Sequence, residues 1–243
     1  MTLAALALAA ALVPASEAAP AASFLYRANL IQAAPGRLLE LIDLEKALFA
    51  SLPDSGDETP LWMRHSQGDK WDLLLLQPMG SWAEYFGPDR AARREKWRRA
   101  SQASLARIRD AVAWQEDVFV NGPPLAEVRE RFAKAGFFHV EMFVALPGRQ
   151  ADLSRQREME NAFDRALGLP QNLIFTREAG ASWDLFTVGC YRDLKHYAEG
   201  SDVPADRQDA AAKAAGFESA RHIGPYLRTL IREHHDTLAT AIP

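Results

Sequence analysis

Trp-Asp-Leu occurs at residues 71–73 and again at 183–185, 112 positions later. The same offset, without a gap, lays Pro35-Gly36-Arg37 on Pro147-Gly148-Arg149, Gly68 on Gly180, Leu61 on Leu173 and Tyr85 on Tyr197. Residues 24–86 and 136–198 share 13 identities in 63 positions, well above what unrelated sequences of this composition share. A chain that repeats itself at this period folds as two copies of one unit, so an element read in one copy constrains the other.

The 243 residues suit two modules of about 100 residues each. Hydrophobic residues make up 48% and charged residues 25%, enough apolar matter for a proper core. A net charge of −4 and a pI near 5.9 argue against a nucleic-acid partner, whose phosphates demand a basic face. Residues 2–15 form an uncharged Ala/Leu/Val run, followed by small residues through Ser23. That order is the one found in secretory signal peptides, though no Lys or Arg precedes the run. The expectation is a signal peptide over residues 1–22, cleavage after Ala18 or Ala22, and a periplasmic or secreted mature chain with no integral membrane segment. The single Cys190 excludes an internal disulfide.

Alternation and turn residues sort the first copy. A strand from Phe24 stops at Pro35-Gly36, and Leu38, Leu41, Ile42, Glu45 and Leu48 follow helical spacing. Two short apolar runs flank Gln67-Gly68-Asp69-Lys70 as a hairpin. A long polar helix from Ser81 and a strand around Asp117 to Val120 complete a β-α-β-β-α-β order. The modules span residues 24–123 and 137–243, joined by a linking helix over 124–136. No last strand is legible in the second copy: Tyr226, Leu230, Ile231, His234 and Leu238 sit at helical spacing after Pro225. They predict a final helix with His234 on its apolar stripe.

With its paired Pro-Gly-Arg turns and post-hairpin Trp-Asp-Leu, this order of elements resembles the dimeric α+β-barrel superfamily, including the NIPSNAP group and the antibiotic-biosynthesis-type monooxygenases. The resemblance covers residues 24–120 and 137–200. It implies an α+β fold in which two ferredoxin-like modules pack sheet to sheet within one chain, helices outside and ligand between the sheets. A homodimer is a further expectation. Because haem-binding relatives take a histidine from the C-terminal module, the resemblance also leaves haem open as a cofactor, with His234 or His139 as axial ligand.

A strand alternates its faces. Phe138, Val140, Met142 and Val144 form one wholly apolar face, expected under the helices, and His139 and Glu141 lie on the opposite one. The repeat lays Arg27 on His139 and Asn29 on Glu141. These four are therefore expected in one cavity between the sheets. There His139 and Glu141 would be catalytic, as proton acceptor and orienting partner, while Arg27 and Asn29 would bind the substrate, with His65 at the rim. The competing expectation is that they pair with one another across a packed interface. No metal-ligand motif, catalytic Gly-x-Ser-x-Gly or phosphate-binding loop appears. The leading expectation is thus an exported small-molecule-binding protein, of cofactor-independent oxygenase type if it is an enzyme. The alternative is a non-catalytic structural or interaction protein.

Overall fold

The computed structural model describes residues 23–242; the expected signal peptide lies outside them. Module 1 runs β1 (Phe24–Ala33), α1 (Leu38–Ser51), β2 (Leu61–Gln67), β3 (Leu73–Gly80), α2 (Trp82–Tyr85), α3 (Pro88–Ala100), α4 (Gln102–Asp110) and β4 (Val112–Gly122). A linking helix α5 (Leu125–Ala133) leads to β5 (Phe137–Ala145), α6 (Gln150–Leu167), β6 (Leu173–Ala179) and β7 (Leu185–Tyr191). Then come α7 (Leu194–Ala198), α8 (Ala205–Ala214), α9 (Ile223–Arg228) and β8 (Ile231–Ala241).

The eight strands close in the order β1-β3-β2-β8-β5-β7-β6-β4. Each module contributes a four-stranded antiparallel sheet, and the two join where β2 pairs with β8 and β4 with β6. Closure leaves no unpaired sheet edge.

The repeated residues have repeated duties. In Trp-Asp-Leu, the Asp72 carboxylate accepts from the Ala33 amide at 2.8 Å, and Asp184 accepts from Ala145 at 2.8 Å. Their own amides donate to Ile31 and Phe143, and their carbonyls accept from His65 and Arg177. Every one of these partners differs by 112 positions, so the aspartate staples β2, β3 and β1 in one copy as it staples β6, β7 and β5 in the other. The tryptophans before them, Trp71 and Trp183, are both buried in the barrel core. Gly36 and Gly148 turn the chain at φ +76° and +79°, a left-handed conformation that a side chain resists.

Two expectations are corrected here. The C-terminal segment is the strand β8, not a helix. Ile231 falls in step with His234 and Leu238 because the register with β5 shifts between Val144 and Ala145, beside it; further along, Thr237 and Ala239 are buried and alternate with less buried neighbours as a strand requires. Strand pairing along the whole length of β5 overrides the helical pattern. The second module thereby regains the last strand its repeat requires, and His234 lies on a strand.

The second correction concerns the faces of β1 and β5. The wholly apolar face, Phe138, Val140 and Met142 with Tyr26, Ala28 and Leu30, fills the barrel interior between the sheets. The helices cover the opposite face, where Ile31, Leu73 and Leu75 meet Leu41 and Leu44 of α1, and Phe143 and Leu185 meet Leu153 of α6. The reason is dielectric. A closed barrel has no element inside it to supply counter-charges, so its lining must be apolar. An amphipathic helix can present Glu45 or Arg157 to a polar strand face. Arg27, Asn29, His139 and Glu141 therefore lie outside the barrel, under the helices, and do not share a cavity between the sheets.

Candidate functional site

The correction moves the polar residues without dispersing them. On module 2, His139 and Glu141 project from the middle of β5 toward α6. Asp236, the cross-strand partner of Glu141, projects beside them from β8. His139 Nε2 lies 3.1 Å from Asp236 Oδ1, and His234 Nε2 lies 2.9 Å from Asp236 Oδ2. His234 Nδ1 in turn accepts from Arg228 at 2.9 Å, and its ring stacks on Phe143. Glu141 Oε2 accepts from Thr187 Oγ1 at 3.2 Å and faces Arg157 Nη1 at 3.3 Å. Arg157, 2% exposed, also donates to Gln156 Oε1 at 2.7 Å and to Glu160, and covers the Phe143 ring.

Burial and mutual repulsion set the protonation of this cluster. Burial, opposed by Arg157 and reinforced by Glu141, pushes the Glu160 carboxyl up. Asp164, one turn further along α6, is pushed up to about 7 by burial and by the charges of Glu160 and Glu141, against Arg157. Burial alone would depress His139, but the hydrogen bond to Asp236 and the charges of Glu141, Asp236 and Glu160 outweigh it and raise its pKa. The same hydrogen bond from His139 holds Asp236 below the usual carboxylate range although partial burial opposes it. Perturbed titratable groups gathered beside a cleft make this cluster a candidate functional site.

A pocket of about 220 Å³ opens next to the cluster, lined by Asp164, Tyr191, Tyr197, His196 and Gln208 with apolar Phe163 and Leu169. Tyr197 links the two: its ring centroid is 5.3 Å from that of His139 and 5.1 Å from that of Tyr191. Burial and nearby carboxylates raise both tyrosine hydroxyls, so each is a hydrogen-bond donor at neutral pH. Gly189, opposite His139 on β7, makes the room. A Cβ there would meet the Tyr191 hydroxyl at 2.8 Å. In module 1 the matching position is Gln77, a buried side chain tied to the Glu58 carbonyl.

The matched site on module 1 is simpler. Asn29 Nδ2 donates to Asp117 Oδ1 at 2.7 Å, and Arg27 Nε stands 3.6 Å from the same oxygen. Asp117 is the cross-strand partner of Asn29, as Asp236 is of Glu141. Glu45 of α1 occupies the position of Arg157, so the charges are exchanged between strand and helix. His65 joins neither site: it packs edge-on against Trp71, with Nε2 buried and unpartnered.

The sequence singles out His139 and Glu141 but places them between the sheets, and it does not point to Arg157, Glu160, Asp164, Tyr191, Tyr197 or Asp236, which surround them. One signal was available. Leu153, Arg157, Glu160 and Asp164 follow helical spacing, a charged continuation of an apolar stripe. The haem expectation meets an obstacle: both nitrogens of His234 are engaged, and neither His234 nor His139 lines the pocket beside them.

No protein-family model and no curated protein matches the chain. Solved structures share its fold over nearly its whole length. An anthrone oxidase-like protein covers 91% of this chain with 92% of its own, at a TM-score of 0.56 and 9% identity. A protein provisionally named a monooxygenase from Fusobacterium nucleatum gives 0.53 at 9% identity, covering 93% of this chain and 94% of that one. A second so named, from Lactobacillus acidophilus, gives 0.51 at 8%, covering 90% and 93%. The fold is that of the dimeric α+β barrels. Here both halves of the barrel are carried by one duplicated chain.

Proposed function

We propose that this protein is a small-molecule enzyme of oxygenase type, abstracting a proton from an acidic organic substrate held in the pocket beneath α6. The observation that carries this reading is Asp164, whose carboxyl is pushed up to about 7 on the wall of a pocket it shares with two half-buried tyrosines. A base is most effective when its pKa lies near the working pH, because it is then substantially ionised and still holds a proton well. Tyr191 and Tyr197 donate to an oxygen of the substrate as negative charge develops there. A volume of about 220 Å³ admits one substituted ring rather than a fused tricycle. Deprotonated phenols and enols of that size are electron-rich enough to react with oxygen directly, which suits the oxidase and monooxygenase names of the fold's neighbours. His139 and Glu141 stand behind Tyr197 rather than in the pocket, so their part is to set its electrostatics.

Apolar side chains fill the space between the sheets apart from a pocket of about 190 Å³ at the barrel mouth, lined by Trp71, Met142 and Trp183; that space favours a largely structural role, and the test separates the two readings. 4-Nitrophenol, whose phenolate absorbs in the visible, reports binding and proton loss in one spectrum. Phenolate in excess of that shown by the free phenol at the same pH should appear on binding as pH rises through about 7 and disappear in Asp164→Asn. A spectrum unaffected by that substitution, or by the wild-type protein, overturns the assignment.

Export rests on residues 2–22, and N-terminal sequencing should find the mature chain starting between Ala19 and Ser23. Met1 on protein from the cytoplasm would exclude export. A homodimer is supported by the exposed, stacked Trp82 and Phe86, and sedimentation equilibrium decides it.

A further inference from the structure

His139, Glu141 and Asp236 each offer one donor atom, and the three atoms lie within 4.8 Å of one another. We propose that these three side chains bind a divalent transition-metal ion on the helix-covered face of module 2. The site lies beside the pocket of the proposed function, but its argument does not depend on that reading.

The backbone fixes the donors. Glu141 and Asp236 are direct cross-strand partners on β5 and β8, and His139 lies two residues from Glu141 on the same face. Directly opposed side chains stand about 5 Å apart on paired strands and diagonal ones about 7–8 Å, within reach of a histidine, so the donor set is held in place before any ion arrives. Glu141 receives both of its hydrogen bonds, from Thr187 and Arg157, on Oε2. Among the described residues nothing bonds to Oε1. That leaves one carboxylate oxygen oriented by its neighbour and open to a cation.

An outer shell is present as well. Asp236 Oδ1 faces His139, while Oδ2 is held by His234 Nε2, and His234 is itself held by Arg228. Carboxylate and histidine ligands of bound metals are oriented by partners of this kind. Entry is open too, since the Asp236 side chain is 51% exposed. Two of the three donors are carboxylates, Glu141 and Asp236, and the nearby guanidiniums of Arg157 and Arg228 engage Glu141 Oε2 and His234 rather than Glu141 Oε1. A dication replaces the single hydrogen bond between His139 and Asp236 with bonds to both. One imidazole and two carboxylates suit Zn²⁺, Mn²⁺, Fe²⁺ or Co²⁺, whereas Ca²⁺ and Mg²⁺ prefer all-oxygen sets.

Cobalt(II) is the probe, because its ligand-field bands in the visible report coordination directly. Chelator-treated wild-type protein should develop such bands and saturate at one ion per chain, and Zn²⁺ should bleach them. His139→Ala and Asp236→Asn should remove the bands while far-UV circular dichroism stays unchanged. His234→Ala, which touches only the outer oxygen of Asp236, should keep the band shape and weaken affinity by about 10–100-fold. His235→Ala should change nothing, since its side chain points to the opposite face of β8, at the barrel mouth. Asp164→Asn should still bind cobalt, which keeps this proposal separate from the proton-abstraction reading. Wild-type protein without a saturable band, or bands that survive both His139→Ala and Asp236→Asn, would refute the site.

Discussion

Glu45 offers a direct measurement of what the helix-covered faces cost. Its side chain is 6% exposed on α1, and burial, only partly opposed by Arg27, pushes its carboxyl from 4.5 up to about 7. A raised carboxyl pKa means the native state holds a proton that the unfolded state has already lost. Stability therefore falls as pH rises between about 4.5 and 7, and the loss is complete above that window. A shift of two and a half units at 1.36 kcal/mol per unit corresponds to about 3 kcal/mol. Glu45→Gln keeps the shape and the neutral hydrogen-bonding groups but cannot ionise. Relative to wild type it should be near neutral at pH 4.5 and more stable by about 3 kcal/mol at pH 8. In a chain of this size that is a gain of roughly 6–12 °C in melting temperature. Urea unfolding of both proteins at the two pH values, followed by tryptophan fluorescence, isolates the difference from every other titrating group. If the gap between variant and wild type is the same at pH 4.5 and pH 8, the carboxyl ionises in the native state as readily as in the unfolded chain, burial is not raising it, and the reasoning fails.

Three further outcomes follow from the same contacts. Asp72→Ala and Asp184→Ala should each cost about 1.5–3 kcal/mol in urea unfolding, because each strips a charged acceptor from a strand amide; a large effect in one copy only would show that the staple is not shared. Arg157→Met, which leaves Glu141 and Glu160 without their counter-charge, should cost about 3–5 kcal/mol at pH 8 and much less at pH 5, where Glu160 can take up a proton. Cys190, pushed up to about 12 by burial, should resist iodoacetamide at pH 8 in the folded protein and react promptly in urea; rapid alkylation of folded protein would show the thiol to be accessible.

The barrel was legible in the sequence because its determinants are local and doubled. A Pro-Gly turn, a hairpin glycine and an aspartate staple recur at one offset, and each acts within a few residues of itself in the sheet. The last strand was not legible. Ile231, His234 and Leu238 satisfy a helical period as well as a strand does, and only the partner strand β5 decides between them. The site was half legible for a related reason. Alternation along β5 shows that His139 and Glu141 share a face, but which face meets the helices depends on what lies on the other side. The apolar face looked like helix packing because most amphipathic sheets are single layers. In a closed barrel that face has another sheet opposite it, and the helices receive the mixed one.

The duplication explains why a cluster of charges survives there at all. Both copies inherited polar residues at matched points on strand and helix, and the two have kept opposite arrangements: Arg27 and Asn29 under Glu45, His139 and Glu141 under Arg157. In module 1 the position of Gly189 holds Gln77, whose side chain fills its space and is tied to a backbone carbonyl. Module 2 has the glycine, two tyrosines and a second acidic turn on α6, and a pocket opens beside its charges. One copy thus has its matched space filled while the other keeps ionisable groups in a partly desolvated setting beside a pocket. The asymmetry between two halves of one chain is available to a tandem duplicate and is closed to a symmetric homodimer, where every substitution appears twice.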